Sequence, residues 1–363
     1  MGRNPSALNP SSVSKVMVRA TNWVGDAVMS LPAIRAVRER LARAELVVVA
    51  RPWVAGVYGR ETAIDRIISY EARGWRERIG FGLELARENF DCAILLQNAF
   101  DAAAMAWLAG IPERIGYRRD GRGWLLTRAI TPPQPGEVPR HERFYYLELL
   151  RRAGLIEGFP ECGAIRLEGV EAAAAAGREG LALLGLHGPF IGVSPGAAYG
   201  NAKRWLPERF AEAAARLGKE LGAGVLLFGS AAERGLADAV AGGVRAAGVE
   251  ARNFCGETSL AGYLEFAANC RVFLTNDSGA MHIASALGIP TVAVFGATDD
   301  TTTGPTGALA RVVREHAECS PCLLRECPID HRCMTAVTAE RVVREALELL
   351  EEPAPSWTRE ARS

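Results

Sequence analysis

Residues 16–37 read VMVRATNWVGDAVMSLPAIRAV, and the fold turns on how the middle of this stretch is taken. An apolar run, Val16-Met17-Val18, opens onto a pattern of helical period, which is how a βα unit begins. A dinucleotide-binding turn would read G-x-G-x-x-G here, its glycines letting a pyrophosphate approach the backbone. The turn is instead Thr21-Asn22-Trp23-Val24-Gly25-Asp26, one glycine followed by a carboxylate. A βα unit that presents an acid is not built to hold phosphate. Asp26 is either a favourable charge at a helix start, contributing about 0.3–1 kcal/mol, or a general base facing a ligand held elsewhere in the chain.

The same alternation continues in both halves of the sequence. Short β-branched runs place strands near 15–20, 46–50, 66–69, 91–96 and 113–116, then near 190–194, 224–228, 251–254, 271–275 and 291–295, with helical patterns between them. Helices are expected over about 141–154 and 338–350, and the alanine-rich 172–176 fits an exposed helix. The stretch 130–140, ITPPQPGEVPR, carries four prolines in eleven residues and is a loop. Strand–helix alternation argues parallel sheets, and 363 residues suit about two domains. The expected division is a disordered lead-in over 1–14, a first Rossmann-like domain over 15–165, a second over 166–350 and a polar tail over 351–363.

Composition excludes several classes of function. With 49% hydrophobic residues each half can bury a core, and a net charge of zero gives no global field for nucleic acid. The first fifteen residues lack the apolar core of a signal peptide, and no run approaches the ~18 apolar residues of a spanning helix. The expectation is a cytoplasmic, monomeric protein, at most peripheral to a membrane. Only Lys15, Lys203 and Lys219 are lysines, against 39 arginines, so a lysine in a loop stands out.

In open α/β sheets ligands sit beyond the carboxyl ends of strands, and three such places in the second half carry chemistry. VSPGAAYGNAKRW follows the strand at 190–194: small residues from Ser194 through Gly196 let backbone N–H groups approach a ligand, and Lys203 and Arg204 add positive charge. It is a phosphate loop or a solvated loop before a helix, and it is not a Walker loop, since no lysine stands in G-K-[ST] context. LLFGSAAERG puts Gly229-Ser230 at a turn and Glu233 in the first helical turn, where an acid binds ribose hydroxyls or simply favours the helix dipole. FLTNDSGAMHIASALG places Asp277, Ser278 and Gly279 at a helix N-terminus suited to a diphosphate, with His282 a turn further on.

Together, TNWVGDAVMSLPAIRAV, PGAAYGNAKRWLPERF, LLFGS, GETSL and TNDSGAMHIASALGIPTVAVFG resemble the lipopolysaccharide heptosyltransferases of glycosyltransferase family 9, and Trp23 before Val-Gly-Asp resembles the type II members more than type I. The resemblance spans roughly residues 15 to 350. It implies the GT-B architecture, two Rossmann-like domains facing across a cleft, with the C-terminal domain taking ADP-heptose and the N-terminal domain the lipid A–Kdo–heptose acceptor at the inner membrane. Position by position, the family's catalytic aspartate falls on Asp26, its phosphate-contacting lysine on Lys203, its diphosphate segment on Asp277, Ser278 and Gly279 followed by His282, and its ribose-binding acid on Glu233. The implied chemistry is inverting transfer without a required cofactor. Asp26 takes the acceptor proton, while Lys203 and the 278–279 amides stabilise the leaving diphosphate. Asn22 and Trp23 would line the acceptor side. The acceptor's phosphates and carboxylates call for cations in the first domain, and YRRDGRGWLLTR offers Arg118, Arg119, Arg122 and Arg128.

CSPCLLRECPIDHRC spaces Cys319, Cys322, Cys327 and Cys333 as C-x2-C-x4-C-x5-C. This suggests a structural zinc site, with an iron–sulfur centre, free thiols or disulfides as alternatives. Cys92, Cys255 and Cys270 read as small buried hydrophobes, and Cys162 stands alone in a loop. The competing functions are another GT-B enzyme acting without an acceptor, such as a sugar-nucleotide 2-epimerase, or a nucleotide-sugar-binding protein in which Asp26 is dispensable. An oxidoreductase is disfavoured because no G-x-G-x-x-G opens a βα unit.

Overall fold

Glu45–Ala50 (ELVVVA) and its neighbours explain the sheets: side chains buried on both faces demand a strand covered by helices on both sides. The computed structural model describes residues 9–161 and 163–352. Residues 1–8 of the expected lead-in, Cys162 and residues 353–363 of the tail lie outside the described residues.

The chain divides between Gly163 and Ala164 into two units. The first contains β1 (Lys15–Arg19), β2 (Glu45–Ala50), β3 (Arg66–Ser69), β4 (Cys92–Leu95), β5 (Glu113–Tyr117) and β6 (Arg128–Ile130), in the order β3-β2-β1-β4-β5-β6. The second contains β7 (Phe190–Ser194), β8 (Gly224–Leu227), β9 (Ala251–Asn253), β10 (Cys270–Asn276), β11 (Thr291–Val294) and β12 (Ala310–Val313), in the order β12-β11-β10-β7-β8-β9. Every pairing is parallel, and the two orders are the same doubly wound topology. The α/β fold class expected from the sequence is what forms.

In the first unit Met17, Val47, Val49, Ala93 and Leu95 make one face of the core, closed by Tyr70, Phe90 and Met105. In the second, Ile191, Val193, Val225, Leu227, Leu274 and Val294 meet Trp205 and Phe210. Trp205 is buried edge-on to Phe210 at 4.9 Å, with its indole N–H donating to the Val337 carbonyl at 3.1 Å. That bond removes the penalty of burying an indole donor.

Several expectations are corrected. β6 and β12, each at one edge of its sheet, were not among the expected strands: β6 runs directly into the proline-rich stretch 130–140, and β12 buries only its last residue. The lead-in from residue 9 onward is held in place: Pro10–Ser12 forms a 3-10 turn capped by Asn9, and Asp91 accepts from the N–H and hydroxyl of Ser14, both at 2.7 Å. The helix over Val170–Leu183 is half-buried, with Ala173, Ala174 and Gly177 inward, and Ala174 O accepts from Asn269 at 3.1 Å.

Candidate active site

In the second unit, three loops at strand carboxyl ends are tied together by buried polar groups. Asn276, the last residue of β10, is fully buried. Its amide donates to Pro195 O at 2.8 Å and Gly196 O at 3.3 Å, and its Oδ1 accepts from Trp205 N–H at 2.8 Å. One asparagine thus fixes both ends of the loop that carries Lys203. Lys203 Nζ lies 2.6 Å from Asp277 Oδ2, and Asp277, 4% exposed, also accepts from Thr298. Asp277 therefore holds the lysine and does not cap the helix after it.

The helix Gly279–Ala286 begins after Ser278, which has extended backbone and makes no side-chain cap. Its first N–H groups have no acceptors within the helix. Ser278 Oγ lies 3.2 Å from Thr275 Oγ1. His282, the fourth residue of this helix, is buried.

Of the two roles weighed for Glu233, the one at the helix start is visible: its Oε2 accepts from Ser230 N–H and Ser230 Oγ, both at 2.8 Å, closing a capping box. It also touches the phosphate-loop candidate, since a Cβ at Gly196 would overlap its carboxylate and one at Gly229 would crowd it. A side chain at 196 would require that carboxylate to swing aside. Arg204 donates to Ala197 O at 3.2 Å, bracing the same loop, and Ser194 is buried at the end of β7.

In the first unit, Asp26 lies in the first turn of the helix Val24–Met29, directly after the β1 turn. The turn is rigid: Arg19, fully buried, donates to Asn22 Oδ1 at 2.9 Å, Asn22 N–H donates to Gln97 Oε1 at 3.1 Å, and Trp53 donates to Asn22 O at 2.9 Å. Burial brings the Arg19 guanidinium down to about 10. Trp23 is exposed. The sequence reading missed Glu142, which precedes the helix Arg143–Arg152. Its carboxyl is raised above the usual range by burial and then by the Asp26 charge, against the pull of Arg119. The Tyr146 phenol is pushed well up by burial and by the same two carboxylates. No local signal marks Glu142, because it reaches Asp26 from more than a hundred residues along the chain.

Of the cationic stretch, Arg118 and Arg119 are exposed, and Arg119 reaches Tyr145 Oη at 3.5 Å. Arg122 is the opposite of the expected surface cation. It is fully buried and donates to Tyr117 O at 2.9 Å, Gln97 O, Ala99 O at 3.3 Å and Asn98 Oδ1 at 2.9 Å, with burial lowering it to about 10. Its donors are engaged in joining the loops after β4 and β5, so it does not meet an acceptor. Arg128 is likewise buried, against Glu113 at 3.0 Å.

The seven described cysteines are free. Cys92, Cys255 and Cys270 are buried, as expected. Cys319 is exposed, Cys322 and Cys327 are half-buried and Cys333 is buried. Among the described residues no group of three or more His, Cys, Asp or Glu is arranged to hold a metal ion, so the zinc reading finds no coordinating geometry here. Among the same residues no helix is long and apolar enough to cross a membrane.

Comparison with known proteins gives this arrangement its context. The family described as Glycosyltransferase family 9 (heptosyltransferase) matches residues 78–332. The chain belongs to glycosyltransferase family 9. Within the family it is 32% identical to lipopolysaccharide heptosyltransferase 2 of Salmonella typhimurium, over 83% of this chain and 88% of that one. The solved ADP-heptose lipopolysaccharide heptosyltransferase II of Escherichia coli superimposes with a TM-score of 0.78 at 30% identity, covering 93% of this chain and 98% of that one. A heptosyltransferase of E. coli solved with ADP shares the fold at TM-score 0.69 and 21% identity, over 92% and 99%. The family 9 protein is thus a glycosyltransferase, with the loops described above at the strand ends where such folds bind ligands.

Proposed function

We propose that this enzyme transfers a heptose from ADP-heptose to the heptose/Kdo–lipid A inner core in lipopolysaccharide synthesis. The observation that carries the reading is 30% identity to heptosyltransferase II spread over 93% of the chain, both units included. The second unit is assigned the donor: Lys203 and the Ser278 and Gly279 amides hold the diphosphate, with Ser194, Gly196, Arg204, Gly229, Ser230 and Glu233 shaping its surroundings and His282 backing the helix. Lys203 stabilises the charge that grows on the leaving phosphate. The first unit is assigned the acceptor, with Asp26 as the base that removes the hydroxyl proton as the new glycosidic bond forms with inversion. Asn22 holds the turn, while Trp23, Arg118 and Arg119 are exposed and can meet the acceptor. No metal takes part in this chemistry; a structural zinc on the four thiols is a separate proposal resting on their spacing, to be decided by elemental analysis of the purified protein.

The acceptor is a lipid, and the first unit has a surface suited to a membrane interface. Trp75, Ile79 and Leu83 form an exposed stripe at i, i+4 and i+8 of the helix Trp75–Leu85. Phe100, Trp107 and Trp124 are exposed on the same unit, Phe100 and Trp124 with ring centroids 6.3 Å apart. Indoles favour the headgroup level of bilayers, so we assign peripheral contact with the inner membrane to this unit of a monomeric, cytoplasmic enzyme. The test of the function is incubation with ADP-heptose with and without a Kdo–lipid A acceptor bearing one heptose. Mass spectrometry should show a heptose added to the lipid; turnover of ADP-heptose that is independent of acceptor would overturn the transferase reading.

A further inference from the structure

Between β12 and the short helix Arg332–Thr335 the chain runs without strand or helix and carries three of the clustered cysteines. This segment is anchored on one side to the loop after β11: Leu323 N–H donates to Ala297 O at 2.8 Å and Ser320 Oγ to Gly296 O at 2.6 Å. On its other side it grips the loop that carries Lys203. Ala202 N–H donates to Arg325 O at 3.0 Å, Cys327 N–H to Asn201 Oδ1 at 3.0 Å, and Tyr199 Oη to Leu323 O at 3.1 Å. The approach is close enough that a Cβ on Gly200 would overlap the Arg325 carbonyl. The Tyr199 ring then takes two cations, Lys203 Nζ at 4.9 Å and Arg325 Cζ at 5.2 Å from its centroid.

We infer that residues 323–327 are a strap that positions Lys203 for a nucleoside diphosphate, with Tyr199 and Arg325 as positioning residues. This rests on the assignment of the donor to the second unit. The physical argument is one of entropy and direction. A lysine has four rotatable bonds, and one held only by Asp277 can still pivot about that contact; the Tyr199 face gives the same ammonium a second contact from another direction. Tyr199 is itself immobilised by Leu323 O and flanked by Arg325, so removing the strap loosens the lysine without touching the phosphate contact itself. Arg325 is exposed and adds a second positive charge on the same ring, raising the local potential for a diphosphate.

The test measures ADP binding to the purified full chain by calorimetry. Tyr199→Leu should weaken ADP about 5- to 20-fold and Arg325→Ala about 3- to 10-fold, with Arg325→Lys restoring most of the affinity and Tyr199→Phe, which keeps the ring, losing about 2-fold. Melting temperatures should stay within a few degrees of wild type. The decisive readout is coupling: in a Lys203→Ala background Tyr199→Leu should cost little further affinity, since the strap acts through the lysine. If the wild-type chain binds ADP and Tyr199→Leu and Arg325→Ala bind it equally well, or if their losses add in full to that of Lys203→Ala, the strap is overturned while the donor assignment stands. If the wild-type chain binds no ADP, both fall.

Discussion

The two units share one sheet order and differ in the loops that leave their strands. After the first strand of its sheet, the N-terminal unit carries Asn22-Trp23-Val24-Gly25-Asp26, and the C-terminal unit carries Pro195 through Arg204 with its lysine. After the fourth, one has Gln97 and Asn98 binding neighbouring loops, the other Asp277-Ser278-Gly279 opening a helix. Their aromatic residues part the same way. Trp23, Trp53, Trp75, Trp107 and Trp124 of the first unit are all at least half exposed, from 51% to 71%, whereas Trp205 of the second is 1% exposed. The scaffold is common, and the loops and the surface carry the difference in role: an acid and an amphipathic face on one side, a lysine and helix amides on the other.

The largest expected effect breaks the comparison at its acid. Asp26→Asn keeps the size of the side chain, so folding should change little, while single-turnover transfer should fall about 10²–10⁴-fold for loss of the proton acceptor. ADP affinity should hold, because the donor contacts are assigned to the other unit. Near-normal turnover would return Asp26 to a helix-dipole role. Next comes Lys203→Ala, which should weaken ADP about 10- to 100-fold by removing a charge-assisted contact. It also strands the buried Asp277 carboxylate, so a lower melting temperature should accompany it, and Lys203→Ala with Asp277→Asn should recover the stability but not the affinity.

How far the sequence carried these assignments depends on the distance over which each feature is encoded. Strands such as Glu45–Ala50 and Phe190–Ser194 declare themselves in their own residues, and so do Gly-Asp at 25–26 and the small-residue loops. The partners do not. The charge of Asp26 felt at Glu142, Asn276 tying Pro195 to Trp205, and Arg325 against Tyr199 each join distant stretches, and no periodicity records them. Arg122 shows the reverse failure: a run of arginines reads as surface, yet this one finds four acceptors among the carbonyls and side chain around it and is drawn inside. The edge strands β6 and β12 escaped although the opposite edges β3 and β9, also paired on one side only, were expected, so one-sided pairing alone does not hide a strand.

A smaller effect sharpens the surface contrast. Trp75→Ser with Leu83→Ser should reduce co-sedimentation with liposomes of anionic and zwitterionic lipid about 5- to 20-fold, as expected for removing two partly buried apolar groups from an interface. ADP binding should be unchanged. Equal sedimentation of variant and wild type would move membrane contact away from this helix.

The smallest expected effect concerns Glu142, whose carboxyl is raised by burial and by Asp26. A carboxyl raised in the fold is favoured in its protonated form, so the stability it contributes is present at low pH and lost as pH rises through its folded pKa. Glu142→Gln removes that loss. The variant should therefore match wild type in acid and become the more stable of the two toward neutrality. A Glu142 kept protonated is already neutral over the range in which an ordinary carboxylate ionises, so a neutral amide in its place leaves the charge around Asp26 nearly unchanged there. The acid limb of the kcat/KM profile should therefore stay in place, with the plateau falling only slightly, since Glu142 acts through Asp26. A limb that moves to higher pH, or a loss of turnover as large as that of Asp26→Asn, would show Glu142 to be the proton acceptor and Asp26 its neighbour.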